Sequence, residues 1–303
     1  MNRIPTLYGL ERSLDAMNDR RASLARIQEQ LSSGRRVNSP GDDPLASAQA
    51  ERTRSQLARM QIERRMMDFA RHQLAQADSV MGQIGDTLQQ AREQLVAAGN
   101  GALNATDRAM FAEQLRGMRD ELLALANRRD GTGAWLFGGQ GASLAPFLAD
   151  GTPAPELLAG EQSTGAERSF TISQDARAIF AEGVAGAAQS LFTVLDDAIA
   201  LLADSALTGD ALVSGLATAT TGIDAAHDRL LLGRTRAGEQ LRALEARERL
   251  LDSGELEAQG RLSSLIDVDY AAAISQLQND QTAFEAALTT YSRIARLSLF
   301  DYL

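Results

Sequence analysis

Cysteine is absent from this chain of 303 residues, and only two histidines, His72 and His227, are present. The first absence excludes disulfides, zinc thiolate sites and a cysteine nucleophile, and the second leaves little for a histidine metal site. Aromatic residues make up 5% of the chain, which is few for a compact globular enzyme. These absences exclude thiol-dependent enzymes and disfavour enzymes that bind a metal through histidine.

Positive charge is also in short supply, because 40 acidic residues face 30 basic ones and give a formal net charge of −10. Binding to nucleic acid needs clustered positive charge, so we expect no nucleic-acid partner. The longest uncharged stretch in the second half is 13 residues, 183–195, against the roughly 20 that span a bilayer. The first residues lack the apolar run of a cleavable signal. We therefore expect no membrane partner and no cleaved signal peptide.

Proline is the residue that best divides the chain. None lies between residues 45 and 145 or after Pro155, so two long stretches lack the strongest helix breaker. Asp43 followed by Pro44 predicts a helix start, because the carboxylate can cap free amides and proline suits the first helical position. That helix is predicted to run to about Ala98.

The middle of the chain differs from both ends. Between about residues 138 and 186 it holds three prolines and many glycines, and the helical spacing disappears. Short pieces such as Trp135-Leu136-Phe137 and Phe170-Thr171-Ile172 have the composition of strands. We predict a small β-rich or irregular insert.

Apolar residues recur at alternating steps of three and four in both end segments, which is typical of helices that pack along one side. Polar residues at some seam positions (Arg21, Gln28, Gln281 and Ser298) interrupt this pattern. Two helices paired alone bury little surface, so we predict that these stripes form an assembly interface, with Phe284 exposed in the single chain. The predicted interface residues are Leu10, Leu14, Met17, Leu24, Leu31, Ile274, Leu277, Phe284, Leu288 and Tyr291.

The order of segments predicts a mainly α fold: an elongated helical bundle or coiled coil with paired N- and C-terminal helices and a small β-rich central insert. We expect three parts. Residues 1–41 and 262–303 form a terminal coiled-coil domain, residues 42–141 and 187–261 form a helical rod, and residues 142–186 form a small variable outer domain.

Motifs that carry chemistry are weak in this sequence. The glycines of residues 131–141 superficially suggest a phosphate loop, but no lysine follows them, and a turn or hairpin is the better interpretation. The adjacent carboxylates Asp42-Asp43 and Asp196-Asp197 are more typical of helix caps than of an acid–base pair. His72 and His227 lie among charged neighbours, which indicates solvated positions. We predict no catalytic, cofactor or metal site.

Four sequence motifs and one spaced pair of residues are informative together because of the order in which they occur along the chain. They are LSSGRRVNSPGDDP from Leu31 to Pro44, LLALAN followed by DGTGAWLFGG within residues 122–139, DVDY at 267–270, LSLF at 297–300, and Arg234 with Gly238. Together they resemble the flagellin superfamily and, within it, the hook–filament junction branch. The likeness covers about residues 1–141 and 187–303.

This resemblance implies a flagellin-like fold and a structural role without enzymatic activity or cofactors. Members of the branch form the layer between hook and filament and assemble through their terminal helices. The implied partners are copies of the chain itself, the first hook-associated junction protein, flagellin, and a flagellar export chaperone that binds the C-terminal segment. The implied location is the extracellular flagellum, reached through the flagellar type III system without a cleaved signal.

Other functions compete with this interpretation. Flagellin, the bulk filament subunit, is the alternative within the superfamily, although Pro44, the passage Trp135-Leu136-Phe137-Gly138-Gly139 and the Ser298-Leu299-Phe300 ending favour the junction branch. A helical sensor of a signalling receptor would need membrane helices that the sequence lacks. An enzyme would need convergent polar groups, and none is evident.

Overall fold

A computed structural model of the chain describes residues 4–139, 144–154, 161–163, 169–171, 176–181 and 190–300. These residues are mainly helical, as the sequence predicts. The elements, in chain order, are α1 (Ile4–Ser33), α2 (Pro44–Ala98), α3 (Ala105–Ala126), β1 (Glu161–Ser163), β2 (Ser169–Thr171), α4 (Ala176–Phe180), α5 (Leu191–Ala203), α6 (Asp210–Ile266) and α7 (Tyr270–Phe300).

Local chemistry explains where several helices begin and end. Helix α1 stops before Gly34, whose φ of 70° lies in the left-handed region that glycine adopts without strain. Helix α2 begins at Pro44, and an Asp43 carboxylate oxygen accepts a hydrogen bond from the Ala46 amide at 2.9 Å. Asn104 caps α3 through a capping box with Asp107. The predicted start of α2 and its end at Ala98 are confirmed.

The chain divides into two compact units, and the first contains both chain ends, residues 1–61 and 252–303. Helices α1 and α7 pair within it. Backbone hydrogen bonds join the segment after α1 to the end of α6, from the Arg36 amide to the Ile266 carbonyl at 2.7 Å. A small apolar core underlies this connection and consists of Val37, Ala46, Ala50 and Ile266, with Leu262 and Leu265 packed against it.

The second unit, residues 62–251, has the larger apolar core. Helix α3 packs against α5. One face of α2 and one face of α6 are buried at helical spacing. Buried stripe residues include Leu74, Met81, Ile84, Leu88 and Leu95 on α2, and Leu216, Ile223, Leu230 and Leu244 on α6. The expectation that the central stripes are core is confirmed.

A cluster of four phenylalanines completes this core. Phe137, Phe147, Phe180 and Phe192 are each at most 1% exposed. Their rings meet in edge-to-face and tilted pairs, with the centroids of Phe147 and Phe192 separated by 5.1 Å. The side chain of Asn127 fixes the Phe147 backbone by donating to its carbonyl and accepting from its amide, both at 2.9 Å.

The predicted β-rich insert is not supported. Within the described part of residues 142–186, the strands are β1 and β2, three residues each, paired antiparallel. Trp135 makes a single bridge to Arg129 instead of lying in a strand. Prolines cannot donate to a ladder, so they limit strand pairing in the insert. Two of its three phenylalanines, Phe147 and Phe180, are buried in the cluster instead.

Two glycines let α5 lie close to α6. A Cβ atom added at Gly222 would lie 2.8 Å from Val194 Cγ1, and one at Gly215 would lie 2.6 Å from Leu201 Cδ1. Both distances are shorter than real Cβ contacts. Helix α5 therefore approaches α6 more closely than any larger residue at these positions would allow.

We expect Gly222→Ala to destabilise the second unit relative to Gly238→Ala. Gly238 is also inside α6, but an added Cβ there meets nothing within 4 Å. Both variants gain about 1 kcal/mol of helix propensity, and only Gly222→Ala has to displace the branched Val194, at about 1–3 kcal/mol. Thermal and urea unfolding should therefore separate the variants by about 1–3 kcal/mol. Equal stabilities would contradict the close packing of α5 on α6.

Candidate assembly interface

Helices α1 and α7 form an antiparallel pair. Gly34, just past the end of α1, lies next to Tyr270 at the start of α7, and Arg20 lies next to Asp280. A Cβ added at Gly34 would lie 3.0 Å from the Tyr270 hydroxyl oxygen. Glycine at position 34 thus serves both the turn and the contact between the two helices.

The predicted interface residues remain partly uncovered after this pairing. Leu14, Ile274 and Leu288 are 40%, 46% and 43% exposed. Phe284 is half-buried in the single chain, so the expectation that it is exposed is only partly met. The side chain of Leu10 lies outside the described residues. The other predicted residues are half-buried: Met17, Leu24, Leu31, Leu277 and Tyr291.

Sequence reasoning misplaced the polar positions of the seam by one residue. Ile27 is buried and Gln28 is exposed, while Asp280 is buried and Gln281 is exposed. Arg21 is exposed as well, and the side chain of Ser298 lies outside the described residues. Residues three and four positions after a stripe residue both lie beside it on a helix, so the repeat alone does not decide which of the two the partner helix covers. The spacing of three residues between Leu24 and Ile27 could have indicated that Ile27, and not Gln28, lies on the apolar face of α1.

Asp280 is the buried polar group of the helix pair, at 1% exposure. Its carboxylate accepts hydrogen bonds from Ser23 Oγ at 2.7 Å and from Arg20 Nη1 at 2.9 Å. The hydrogen bond from Ser23, aided by the Arg20 guanidinium, holds the pKa of the Asp280 carboxyl below its ordinary value. A buried polar group that finds partners in one alignment only favours a single register of the two helices.

Three of the four adjacent carboxylates, Asp42, Asp43 and Asp196, have structural partners. Asp42 accepts hydrogen bonds from the amides of Asn38 and Ser39, at 3.1 and 2.8 Å, and these bonds lower its pKa. Asp43 caps α2 and also faces Arg36 at 3.4 Å. Asp196 is paired with Arg119 at 3.0 Å. These contacts account for Asp42, Asp43 and Asp196 without any acid–base chemistry.

The described ranges hold neither a cluster of metal ligands nor a membrane-spanning helix. Within them, no group of three or more His, Asp and Glu side chains is arranged to hold a metal ion. No helix in the same ranges combines enough length with enough apolar character to cross a bilayer.

The sequence and fold match known flagellar proteins. The sequence family of the bacterial flagellin N-terminal helical region matches residues 8–142. The chain is 32% identical to flagellar hook-associated protein 3 of Escherichia coli (strain K12), over 99% of both chains. It belongs to the flagellar hook-associated protein 3 family. A structure of flagellar hook-associated protein-3 from Legionella pneumophila shares the fold at a TM-score of 0.62, with 14% identity over 71% of this chain and 98% of that one.

Membership of the hook-associated protein 3 family confirms the resemblance to the junction branch of the flagellin superfamily. The chain is a structural component of the bacterial flagellum and not an enzyme, as predicted. Flagellin of Bacillus subtilis (strain 168) is a more distant relative, 23% identical over 91% of this chain and 90% of its own. The flagellin alternative is therefore disfavoured.

The cap at Asp43 can be tested at a single amide. We expect Asp43→Ala to speed hydrogen exchange at Ala46, because this amide loses its acceptor. Asp43→Asn is the matched control, since asparagine caps helices about as well as aspartate. It should keep most of the protection. Equal exchange rates in wild type and Asp43→Ala would show that the cap contributes nothing.

The Asp280 contact predicts a pH dependence of the helix pair. A carboxyl whose pKa is lower in the folded state adds stability above its ordinary value near 4 and loses it as pH falls through the folded-state value. Because the chain has no cysteine, spin labels at Ala22→Cys and Gln278→Cys, both exposed positions, report the distance between α1 and α7. We expect one narrow distance distribution at pH 7 and a broad one once the pH lies well below the ordinary carboxyl pKa near 4.

Two variants distinguish the effect of the Asp280 charge from the effect of low pH on other carboxylates. Asp280→Asn removes the charge and should broaden the distribution already at pH 7. Glu285→Gln changes an exposed carboxylate on the same helix and should leave it narrow. A narrow distribution in Asp280→Asn at pH 7 would contradict the role of this carboxylate in fixing the register.

Proposed function

We propose that this chain forms the layer that joins hook and filament in the bacterial flagellum, and that it assembles through its terminal helices. One observation supports assembly through the terminal helices. Leu14, Ile274 and Leu288 remain at least 40% exposed after α1 and α7 have paired. The helix pair therefore keeps an apolar surface that its own chain does not cover.

The energetics favour covering that surface with further subunits. Burying one leucine or isoleucine side chain fully contributes about 1.5–3 kcal/mol, so completing the burial of several such side chains favours association. An isolated helix pair buries too little apolar area to be strongly stable. Association thus stabilises the termini and the assembly together.

The partners of this layer follow from its position. Copies of the chain are its lateral neighbours, the first hook-associated junction protein lies on the hook side, and flagellin lies on the filament side. The relatives named hook-associated protein 3 support this arrangement. Export through the flagellar type III channel without a cleaved signal, guided by a chaperone on the C-terminal segment, brings the chain to the extracellular flagellum.

The three-part division assigns a role to each part of the chain. The terminal domain, residues 1–41 and 262–303, makes the assembly contacts. The helical rod, residues 42–141 and 187–261, carries the rigid core. Residues 142–186 form the outer domain, on the outside of the assembled layer. The junction position itself is tested by immunogold labelling of isolated flagella: label at the hook–filament boundary supports it, and label along the filament supports flagellin.

The assembly surface is tested by Leu288→Asp. This change places an unpaired carboxylate where a neighbouring subunit should pack, and burying it is strongly unfavourable. We expect bare hooks, flagellin in the culture medium, and the variant itself in the medium, which separates failed assembly from failed export. Electron microscopy and immunoblots measure these outcomes.

Asn279→Asp is the matched control for that experiment. Asn279 is exposed and lies nine residues before Leu288, which is two and a half turns and so the opposite side of α7. Filaments should form normally on this variant. Normal filaments on Leu288→Asp would refute the interface, and loss of helicity in purified Leu288→Asp would assign the residue to the core of the single chain.

A further inference from the structure

An open apolar groove of about 530 Å³ lies between α5 and the start of α6. Val194, Leu201, Leu207 and Ala219 give it apolar walls, and Leu201 packs directly against Gly215 of α6. This volume falls in the range of pockets that hold ligands or several apolar side chains. Among the described residues, none of the chain's own side chains fills it.

The rim of the groove is acidic. Asp197 and Asp204 line it, and neither belongs to an ion pair among the described residues. Of the nearby charges, Asp196 is paired with Arg119 at 3.0 Å and the Arg108 guanidinium donates to the Leu207 carbonyl at 2.9 Å, which leaves the Asp197 and Asp204 carboxylates as the uncompensated charges of the rim. The occupant that fits is therefore an apolar surface that carries positive charge.

Such a surface lies on α2 of the second unit. Ile62, Met66 and Phe69 form a stripe on one side of the helix and are 47%, 37% and 38% exposed. Arg65 lies beside the stripe, is exposed, and has no ion pair within the described ranges. Between residues 52 and 71 the chain has six arginines against two acidic residues.

The stripe cannot enter the groove of its own chain. Ion pairs from Glu63 to Arg247 at 2.7 Å and from Arg71 to Glu248 at 3.3 Å fix the stripe beside the far part of α6. The groove lies at Gly215 and Ala219 of the same helix. About thirty residues at 1.5 Å each separate the two sites by about 45 Å.

We propose that the Ile62–Met66–Phe69 stripe of one copy docks in the α5–α6 groove of a second copy, with Arg65 facing Asp197 and Asp204. In the proposed contact the groove of the first copy and the stripe of the second remain free, so the contact is heterologous and can repeat into rings or helical assemblies. It rests on the proposed self-assembly at the junction and adds a second contact outside the terminal helices.

Cross-linking in isolated flagella tests the pairing. The chain has no cysteine, so two single-cysteine chains, Met66→Cys and a tagged Ala200→Cys, can be co-produced and treated with a short thiol-reactive cross-linker. Ala200 is exposed and lines the groove. We expect a covalent dimer of one tagged and one untagged chain. Leu232→Cys is the control partner for Met66→Cys, because Leu232 is 59% exposed and outside the groove.

Charge reversal makes the test specific. Arg65→Glu in the Met66→Cys chain should lower the yield about two- to fivefold, as expected for an exposed charge pair, and Asp197→Arg in the Ala200→Cys chain should restore it.

Three results would overturn the pairing: no cross-link in flagella that carry both chains at the boundary, equal yield with Leu232→Cys, or dimers between two Met66→Cys chains. Immunogold labelling of the wild-type chain distinguishes a failure of the proposed junction role from a failure of this contact alone. Its absence from the hook–filament boundary refutes the junction role and this contact together, whereas its presence without a cross-link refutes the contact alone.

Discussion

The pairing of α1 with α7 is the contact on which the organisation of the first unit depends, because it joins residues at opposite ends of the sequence. Chain closure over such a separation is entropically expensive, so its contacts must be specific as well as favourable. Apolar side chains along two helices would tolerate several alignments. The Asp280 carboxylate has its Ser23 and Arg20 partners in one alignment. The seam therefore combines modest apolar burial with one polar contact that selects the register.

The sequence was sufficient for the parts of the fold that local chemistry controls. Asp43-Pro44 determined the start of α2, and Gly34 determined the end of α1, because capping and a positive φ depend on a few adjacent residues. Heptad spacing identified the two end helices and the central core. It failed at the seam, where Ile27 and Asp280 are buried instead of their neighbours, since helix rotation is decided by the partner helix and not by the repeat alone.

The insert shows a different limit of sequence reasoning. Its prolines, glycines and short aromatic pieces suggested strands, yet Phe147 and Phe180 are buried against Phe137 and Phe192. Composition gives no information on which distant rings will meet. Gly151 illustrates the point: its φ of 79° and its position against Phe192, where an added Cβ would lie 2.3 Å from the Phe192 Cβ, are set by tertiary packing. The α5–α6 groove escaped sequence reasoning for the same reason, since its walls come from two helices.

Charge segregation bears on how a chain with a net charge of −10 can associate with copies of itself. Uniformly distributed negative charge would make every approach of two copies repulsive. Here six arginines lie between residues 52 and 71, and six aspartates lie between residues 191 and 228. An approach that brings these opposite segments together is attractive, whereas one that places like segments face to face is repulsive. The same segregation that lowers repulsion in one orientation raises it in the other, so electrostatics favour contacts between unlike segments, and a head-to-tail contact of this kind can repeat into an assembly.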